Sequence, residues 1–228
     1  MPEMSGFRRW VCLDVGECLI DETRIWSTWA DVLGVPRFTL AAVVGGAILR
    51  GETHVEAFDL LGRPDWVDHW EAVDAAYGAF RPSDLYPDAL PALALLRSSG
   101  YGVAVMGNQP ACRHDQLLAL GVDVDVLAMS EALGVAKPDP AFFARAVELM
   151  GSPEPGHVVY VGDRVDNDVL ASLAAGLRAI WIRRGPWGLL HHLPTGAPAV
   201  PQARSLAELS DLLPACFTPS HLGGTRVK

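Results

Sequence analysis

The chain is predicted to adopt an α/β fold in which a parallel sheet carries helices on both faces. Apolar runs with the length of buried strands recur at residues 10–14, 101–106, 124–129, 157–162 and 178–183. Segments with helical apolar spacing separate most of these runs. Strands that alternate with crossover-length helices pair in parallel, and such a sheet is buried on both faces.

The predicted helices follow the strands in chain order. Apolar residues recur at helical spacing in residues 90–97, 115–120, 140–150 and 168–175. Pro140 can begin the third of these helices, and Gly176 is expected to cap the fourth. Residues 184–203 are rich in Pro and Gly and are predicted to form a long surface loop, and residues 205–209 are predicted to form a final capped helix.

Residues 22–84 interrupt this alternation, because they show helical patterns without a convincing strand. They are predicted to form a helical insert over the strand ends. The core then comprises residues 1–21 and 85–213, and residues 214–228 are predicted to be a loosely ordered tail. Packing within a small helical bundle is the preferred interpretation of the insert's tryptophans, and contact with a ligand is the alternative. These tryptophans are Trp26, Trp29, Trp66 and Trp70.

Composition limits the classes of protein to which the chain can belong. Its 228 residues fit one medium domain or a core with a smaller insert, and 50% of them are hydrophobic. The net charge of −9 argues against nucleic acid as a main partner, and no cluster of Lys or Arg suggests a membrane surface. No window has the apolar character of a signal peptide or a membrane span. The cysteines lack CxxC spacing, so a reduced cytoplasmic protein without disulfides is expected.

Acidic residues follow two of the predicted strands. Asp14 ends the first strand and enters a tight turn that contains Gly16, whereas Asp163 ends the fourth strand and Asp168 lies shortly after it. Ligands bind outside the carboxyl ends of parallel strands, so these carboxylates are expected to converge. Converging carboxylates repel one another unless a cation lies between them, and hard oxygen ligands suit Mg²⁺. Taken singly, each aspartate could equally cap a turn or a helix.

Two further segments add polar groups at the same predicted edge. Lys137 precedes Pro138, which favours extended backbone, and it is therefore held near the entrance of the next helix. There it could neutralise a nucleophile and a phosphoryl oxygen, although an isolated lysine is by default a solvated surface residue. Gly107 and Asn108 follow the second strand, where amides could donate hydrogen bonds to an oxyanion. Without the other residues, an ordinary strand-to-helix turn would explain this pair nearly as well.

The order of these segments resembles the four motifs of the haloacid dehalogenase-like hydrolase superfamily. The resemblance extends from about residue 9 to residue 213, and it is most specific in Lys137-Pro138-Asp139-Pro140 and in Gly162-Asp163 followed by Asp168. It implies a Rossmann-like core with a helical cap inserted after the first strand. It also implies an aspartyl nucleophile and, in most members, Mg²⁺-dependent hydrolysis of phosphate esters.

The resemblance also implies a role for each site residue. Asp14 would be the nucleophile and Lys137 its electrostatic partner. Asp14, the Gly16 carbonyl and Asp163 would hold Mg²⁺, with Asp168 ligating directly or through water. Asn108 and the Gly107 amide would bind the transferring phosphoryl group together with Lys137.

The chain departs from the pattern of the superfamily's phosphatases. They usually carry a second aspartate two residues after the nucleophile, which protonates the leaving oxygen and then activates water, but this chain has Gly16 there. Glu17-Cys18 replaces the usual Gly-Thr, and Gly107 replaces the usual Ser or Thr. General acid–base catalysis contributes about 10²–10⁴-fold in rate. Its loss should therefore slow hydrolysis most for substrates with poor leaving groups.

Three explanations remain open for the altered turn. In the preferred one, Glu17 or a water replaces the missing acid, and the protein is a phosphatase of a small phosphorylated metabolite that favours aryl or acyl over alkyl phosphates. In the second, the protein is a catalytically weak ligand-binding or interaction module. In the third, it is a haloacid dehalogenase, which leaves Asp163 and Asp168 unexplained. The preferred explanation also predicts that Gly16→Asp raises turnover of alkyl phosphates.

Features outside the motifs say less about the substrate. Arg24, Arg50 and His54 are weak candidates for contact with an anionic substrate, and each is better explained as a solvated residue. The protein is expected to be a monomer or a homodimer, and exposed tryptophans in the insert would be consistent with the dimer.

Overall fold

A six-stranded parallel sheet forms the centre of the computed structural model, which describes residues 8–218. The strands are β1 Trp10–Leu13, β2 Gly102–Gly107, β3 Val126–Met129, β4 Val158–Gly162, β5 Arg178–Ile182 and β6 Gln202–Ala203. Their order across the sheet is β3-β2-β1-β4-β5-β6, and every neighbouring pair is parallel. The predicted α/β class is therefore confirmed, and β1 lies between β2 and β4.

Helices connect and cover these strands. The α-helices in the described part of the chain are α1 Thr23–Leu33, α2 Arg37–Leu49, α3 His54–Leu60, α4 Trp70–Tyr77, α5 Ala89–Ser98, α6 Arg113–Ala119, α7 Ser130–Leu133, α8 Pro140–Leu149, α9 Ala171–Ala174, α10 Gly185–Leu190 and α11 Leu209–Cys216. A π-helix, Val165–Leu170, leads into α9. No single helix within residues 8–218 is long and apolar enough to cross a bilayer. Only α1 and α2 together pass that test, and they are bent by 114° at their junction.

Both faces of the sheet are buried. Successive strand residues point to opposite faces, so Val11 and Leu13 pack with α5 and α11, whereas Trp10 and Cys12 pack with α8. Every residue of β1, β2 and β4 is buried. This explains why the strands are continuous apolar runs in the sequence rather than alternating patterns.

The residues between β1 and α5 form a helical layer with an apolar core of its own. Trp29, Leu40 and Phe58 are among the buried residues of this core. The chain enters this layer after Asp21 and leaves it after Asp84. These two points lie side by side, because Asp21 N donates a hydrogen bond to Asp84 O at 2.7 Å. We refer to residues 22–84 as the helical segment.

The long surface loop predicted at residues 184–203 is present only at residues 191–201, and the prediction was wrong at both ends of this range. These residues include α10, and Trp187 is buried in the core of the helical segment. Pro186 stands in the first turn of α10, where a proline does not disturb the hydrogen bonds of a helix. Gln202 and Ala203 at the end of the range form β6, which pairs with β5.

The predicted loose tail begins too early. Helix α11 continues through Pro214, and Phe217 is buried with its ring 5.9 Å from the ring of Tyr101. Leu213, Cys216 and Phe217 belong to the core on one face of the sheet, and their burial orders this end of the chain. The rest of the predicted tail, from residue 219 onward, lies outside the described residues.

Candidate functional site

The predicted site residues lie together at the carboxyl edge of the sheet. Asp14 follows β1, Asn108 follows β2 and Asp163 follows β4, and these strands are neighbours. Lys137 reaches the same place from the loop between α7 and α8. A cavity of about 360 Å³ opens here, which we call the acidic cavity. It is lined by Asp14, Gly16, Glu17, Glu22, Trp26, His54, Asn108, Gln109, Lys137, Asp163, Arg164, Asn167 and Trp187.

Asp14 is buried and contacts the ammonium group of Lys137. Its Oδ1 lies 2.8 Å from Lys137 Nζ, and its backbone N–H donates a hydrogen bond to Val161 O at 2.9 Å. Burial raises the pKa of Asp14 to about 6, although Lys137 opposes the shift. A Cβ at Gly107 would lie 2.5 Å from Asp14 Oδ1. Asp14 Oδ1 thus lies directly against Gly107, and a larger residue at position 107 would require the carboxylate to shift.

Lys137 is fixed through both its backbone and its side chain. The Asn108 side chain donates a hydrogen bond to Lys137 O and accepts one from Lys137 N, each at 2.8 Å. Lys137 Nζ also donates to Asp168 Oδ1 at 2.6 Å. Burial opposes the positive charge, but Asp14 and Asp168 outweigh it and raise the pKa of Lys137 above its ordinary value. Asn108 thus positions a permanent cation and keeps one amide hydrogen for another acceptor.

Three buried carboxylates converge beside this lysine. One oxygen from each of Asp14, Asp163 and Asp168 lies within 4.8 Å of the others. Burial, followed by the charges of Asp168 and Asp14, raises the pKa of Asp163 well above its usual range. Asp168 accepts hydrogen bonds through both oxygens, from Lys137 and from Arg164 N at 2.9 Å. Such a donor set fits a hard divalent cation such as Mg²⁺, with Asp14 and Asp163 better placed than Asp168 for direct ligation.

Glu22, which the sequence analysis does not single out, occupies the space beside Gly16. A Cβ at position 16 would overlap with Glu22 Oε1. Burial, together with the charges of Glu17 and Asp14, raises the pKa of Glu22 to about 8. A carboxyl group is therefore present where the superfamily's phosphatases carry their second aspartate, but it comes from the residue that precedes α1. The sequence signal for it is a glutamate at a helix start, shortly after a turn that has Gly16 in place of the usual aspartate.

Glu17 makes contacts of its own. Its carboxylate accepts hydrogen bonds from Tyr86 Oη and from Glu22 N, the latter at 3.1 Å. A Cβ at Gly185 would lie 2.5 Å from the same carboxylate. Glu17 is therefore held against Tyr86 and the start of α10, and Glu22 is the acid that lies beside Gly16.

The three residues that are weak candidates for contact with an anionic substrate, His54, Arg24 and Arg50, lie in different surroundings. His54 lines the acidic cavity, and burial lowers its pKa so that the imidazole is neutral near pH 7. Arg24 forms an ion pair with Asp84 at 2.5 Å, and Arg50 forms an exposed ion pair. Arg164, which the sequence analysis does not name as a candidate, lines the cavity. The only sequence signal for a place of Arg164 in the cavity wall is its position directly after Asp163.

Comparison with known proteins identifies relatives for most of the chain. The sequence profile of the haloacid dehalogenase-like hydrolases matches residues 11–176. A glyceraldehyde 3-phosphate phosphatase from Methanopyrus kandleri is 34% identical over 146 residues, which are 60% of this chain and 62% of that protein. A phosphoserine phosphatase from Thermus thermophilus is 32% identical over 118 residues, which are 50% of this chain and 47% of that protein. The chain thus spans between about half and three fifths of these curated relatives.

A solved structure extends the similarity to nearly the whole chain. The crystal structure of a "HAD phosphatase" from Thermococcus onnurineus aligns with a TM-score of 0.60 and 25% identity, and covers 90% of this chain and 97% of that one. The profile match includes Asp14, Lys137 and Asp163, the residues that meet at the carboxyl edge. On this evidence the chain belongs to the haloacid dehalogenase-like hydrolase family, as the order of its motifs predicts.

Proposed function

We propose that the protein is a Mg²⁺-dependent phosphatase that hydrolyses the phosphate ester of a small metabolite through an aspartyl-phosphate at Asp14. The convergence of the buried residues Asp14, Lys137 and Asp163 at one cavity carries this proposal. The phosphatase names of the relatives support the reaction class. The helical segment takes the role of a cap over the cavity, since Trp26 and His54 contribute to the cavity wall.

Asp14 is the nucleophile in this reaction. One of its oxygens attacks phosphorus, the bond from phosphorus to the leaving oxygen breaks, and the bonding electrons depart with that oxygen. Water then attacks the phosphorus atom and the bond from phosphorus to Asp14 breaks, which releases phosphate and regenerates the Asp14 carboxylate. The proton that this water loses to solvent balances the proton that the leaving oxygen takes up. Lys137 stays protonated and balances the negative charge of Asp14 and of the phosphoryl oxygens. Asn108 and the Gly107 amide donate hydrogen bonds to the same oxygens.

Mg²⁺ would be held by Asp14, the Gly16 carbonyl and Asp163, with Asp168 acting through water. When bound, the ion supplies positive charge that polarises the phosphoryl group. The grouping of Asp163 and Asp168 with Asp14 favours this chemistry over dehalogenation, which would leave the two downstream aspartates without a role.

Turnover of p-nitrophenyl phosphate tests the proposal, because this good leaving group needs little help from an acid. We expect hydrolysis with Mg²⁺, only background hydrolysis with EDTA, and a loss on the order of 10³-fold or more in Asp14→Asn. Asp123→Asn removes the same charge from an exposed position and should retain wild-type turnover. Folded protein without turnover, or unchanged turnover in Asp14→Asn, would contradict the proposal and favour a binding role.

A further inference from the structure

A second cavity, of about 210 Å³, adjoins the acidic cavity and lies between the helical segment and the residues that follow β2. Glu22, Trp26, His54, Asn108 and Gln109 line both cavities. A ligand whose phosphoryl group lies near Asp14 can therefore extend directly into the second cavity. Rings form much of its wall, so we call it the aromatic cavity. They include Trp26, Trp29, Phe58, Trp66, Trp70 and Tyr77.

The rings of the wall support one another. The ring centroid of Trp29 lies 5.5 Å from that of Phe58 and 5.7 Å from that of Trp70. Phe58 stacks on Trp66, with ring centroids 5.1 Å apart and planes inclined by 19°. These separations are those of favourable aromatic pairs. The rings of the wall therefore hold one another in place, and the cavity is present without a ligand.

The charged groups of the wall are largely compensated. Arg113 is buried, lies 3.1 Å from Asp74 in an ion pair, and donates a hydrogen bond to Gly78 O at 2.7 Å. His54 is neutral near pH 7 because burial lowers its pKa. Glu22 lies at the junction with the acidic cavity. The aromatic cavity itself thus presents no unpaired cation, among its described wall residues, that would recognise a carboxylate.

We propose that the aromatic cavity binds the leaving group of the substrate, and that this group is a neutral aromatic one. An apolar cavity of roughly 150 Å³ is large enough to bind benzene, so this one accommodates a substituted ring. The cavity opens on the acidic cavity and the Trp70 ring in its wall is half-exposed, so these rings present apolar surface that the ring of a ligand would cover. This proposal rests on the proposed function. It names the substrate class as phosphate monoesters of phenols or of arylalkyl alcohols.

Substrates with matched leaving groups separate this proposal from a simple preference for reactive esters. 2-Phenylethyl phosphate and n-butyl phosphate both release a primary alkoxide, but only the first carries a ring. We expect kcat/KM to be about tenfold or more higher for the phenylethyl ester.

Two variants of the cavity wall test the same point. Trp70→Ala opens a half-exposed part of the wall, and Val73→Phe fills the cavity. Each should lower the ratio of kcat/KM for the phenylethyl ester to that for the butyl ester about threefold or more. Phe38→Ala removes an exposed ring outside the cavity and should leave the ratio unchanged.

Quenching of tryptophan fluorescence by 2-phenylethylphosphonate measures binding without turnover. We expect saturable binding to the wild type and to Phe38→Ala, and weaker binding to Val73→Phe. Equal kcat/KM for the two esters, in protein that hydrolyses p-nitrophenyl phosphate, would overturn the cavity proposal and leave the phosphatase proposal intact. Saturable binding without any turnover would support the cavity and overturn the phosphatase reaction. Absence of both would overturn both.

Discussion

At the residue scale, two glycines accommodate carboxylates from elsewhere in the chain. A side chain at position 16 would collide with Glu22, and a side chain at position 107 would collide with Asp14. Both glycines replace residues that are usual in the superfamily's phosphatases. At position 16 a carboxyl group from another part of the chain takes the space that the glycine leaves, whereas at position 107 the neighbour is Asp14, which the superfamily's phosphatases carry together with Ser or Thr.

This exchange changes the expectation for Gly16→Asp. The new side chain must displace the Glu22 carboxyl group, and the two acids would then crowd a partly buried space near Asp14. We expect Gly16→Asp to leave n-butyl phosphate turnover within about twofold of wild type, and Gly16→Asp/Glu22→Ala to raise it about tenfold or more. Steady-state kinetics with circular dichroism as a folding control measures this. Equal gains in the single and double variants would show that Glu22 is no obstacle.

At the element scale, Arg24 links the beginning of the helical segment to its end through an ion pair and hydrogen bonds. This residue of α1 forms an ion pair with the buried Asp84 and donates a hydrogen bond to Tyr77 O, at the end of α4, at 2.6 Å. The role of Arg24 is therefore structural, and its position outside the acidic cavity explains why its charge is not available to a phosphate there.

Arg24→Ala should destabilise the protein, because it leaves Asp84 buried without its partner. Removal of one member of a buried ion pair costs about 3–5 kcal/mol. Since the Arg24 side chain is 20% exposed, we expect the free energy of unfolding in urea to fall by about 2–3 kcal/mol. Arg37→Ala breaks an exposed pair in the same segment and should leave the free energy of unfolding almost unchanged. Equal losses in the two variants would contradict this role of Arg24.

At the scale of the whole molecule, the fold concentrates acidic groups where a single lysine cannot neutralise them. Asp14, Asp163 and Asp168 are buried at one edge of the sheet, and Lys137 is the cation that contacts two of them. The chain as a whole carries a net charge of −9, so the surroundings add to the negative potential. A bound divalent cation should consequently stabilise the entire fold rather than one loop.

Addition of Mg²⁺ should therefore raise the melting temperature of the wild type. A ligand present at one hundred times its dissociation constant adds about 2.7 kcal/mol to the free energy of unfolding. We expect Asp163→Asn to abolish the shift between EDTA and MgCl₂ in differential scanning fluorimetry, and Asp123→Asn to preserve it. If Mg²⁺ raises the melting temperatures of the wild type and of Asp163→Asn equally, the ion does not act through this cluster of carboxylates.

The parts of the molecule that depend on local pattern were predictable. The apolar runs of β1 and β4 are long enough for buried strands, and a parallel sheet necessarily gathers the residues that follow them, including Asp14 and Asp163. The family followed from the order of the motifs, and the comparisons confirm it. The catalytic and metal-binding roles of these residues remain proposals.

The parts that depend on neighbours in space were not predictable. The spacing of Gly16 and Glu22 does not reveal that one fills the space left by the other. Helix α10 was hidden because its Gly and Pro residues suggest a loop, whereas burial of Trp187 stabilises a helix there. Apolar periodicity likewise cannot distinguish tryptophans that pack together from tryptophans that surround a cavity.

The contact between Trp187 and the helical segment bears on how a substrate enters. Trp187 comes from the connection between β5 and β6, and its ring centroid lies 5.7 Å from that of Trp26, which lines both cavities. A movement of the helical segment that widens the entrance must separate these indoles and expose apolar surface to water. Burial of these indoles therefore favours the arrangement in which α10 stays packed on the helical segment.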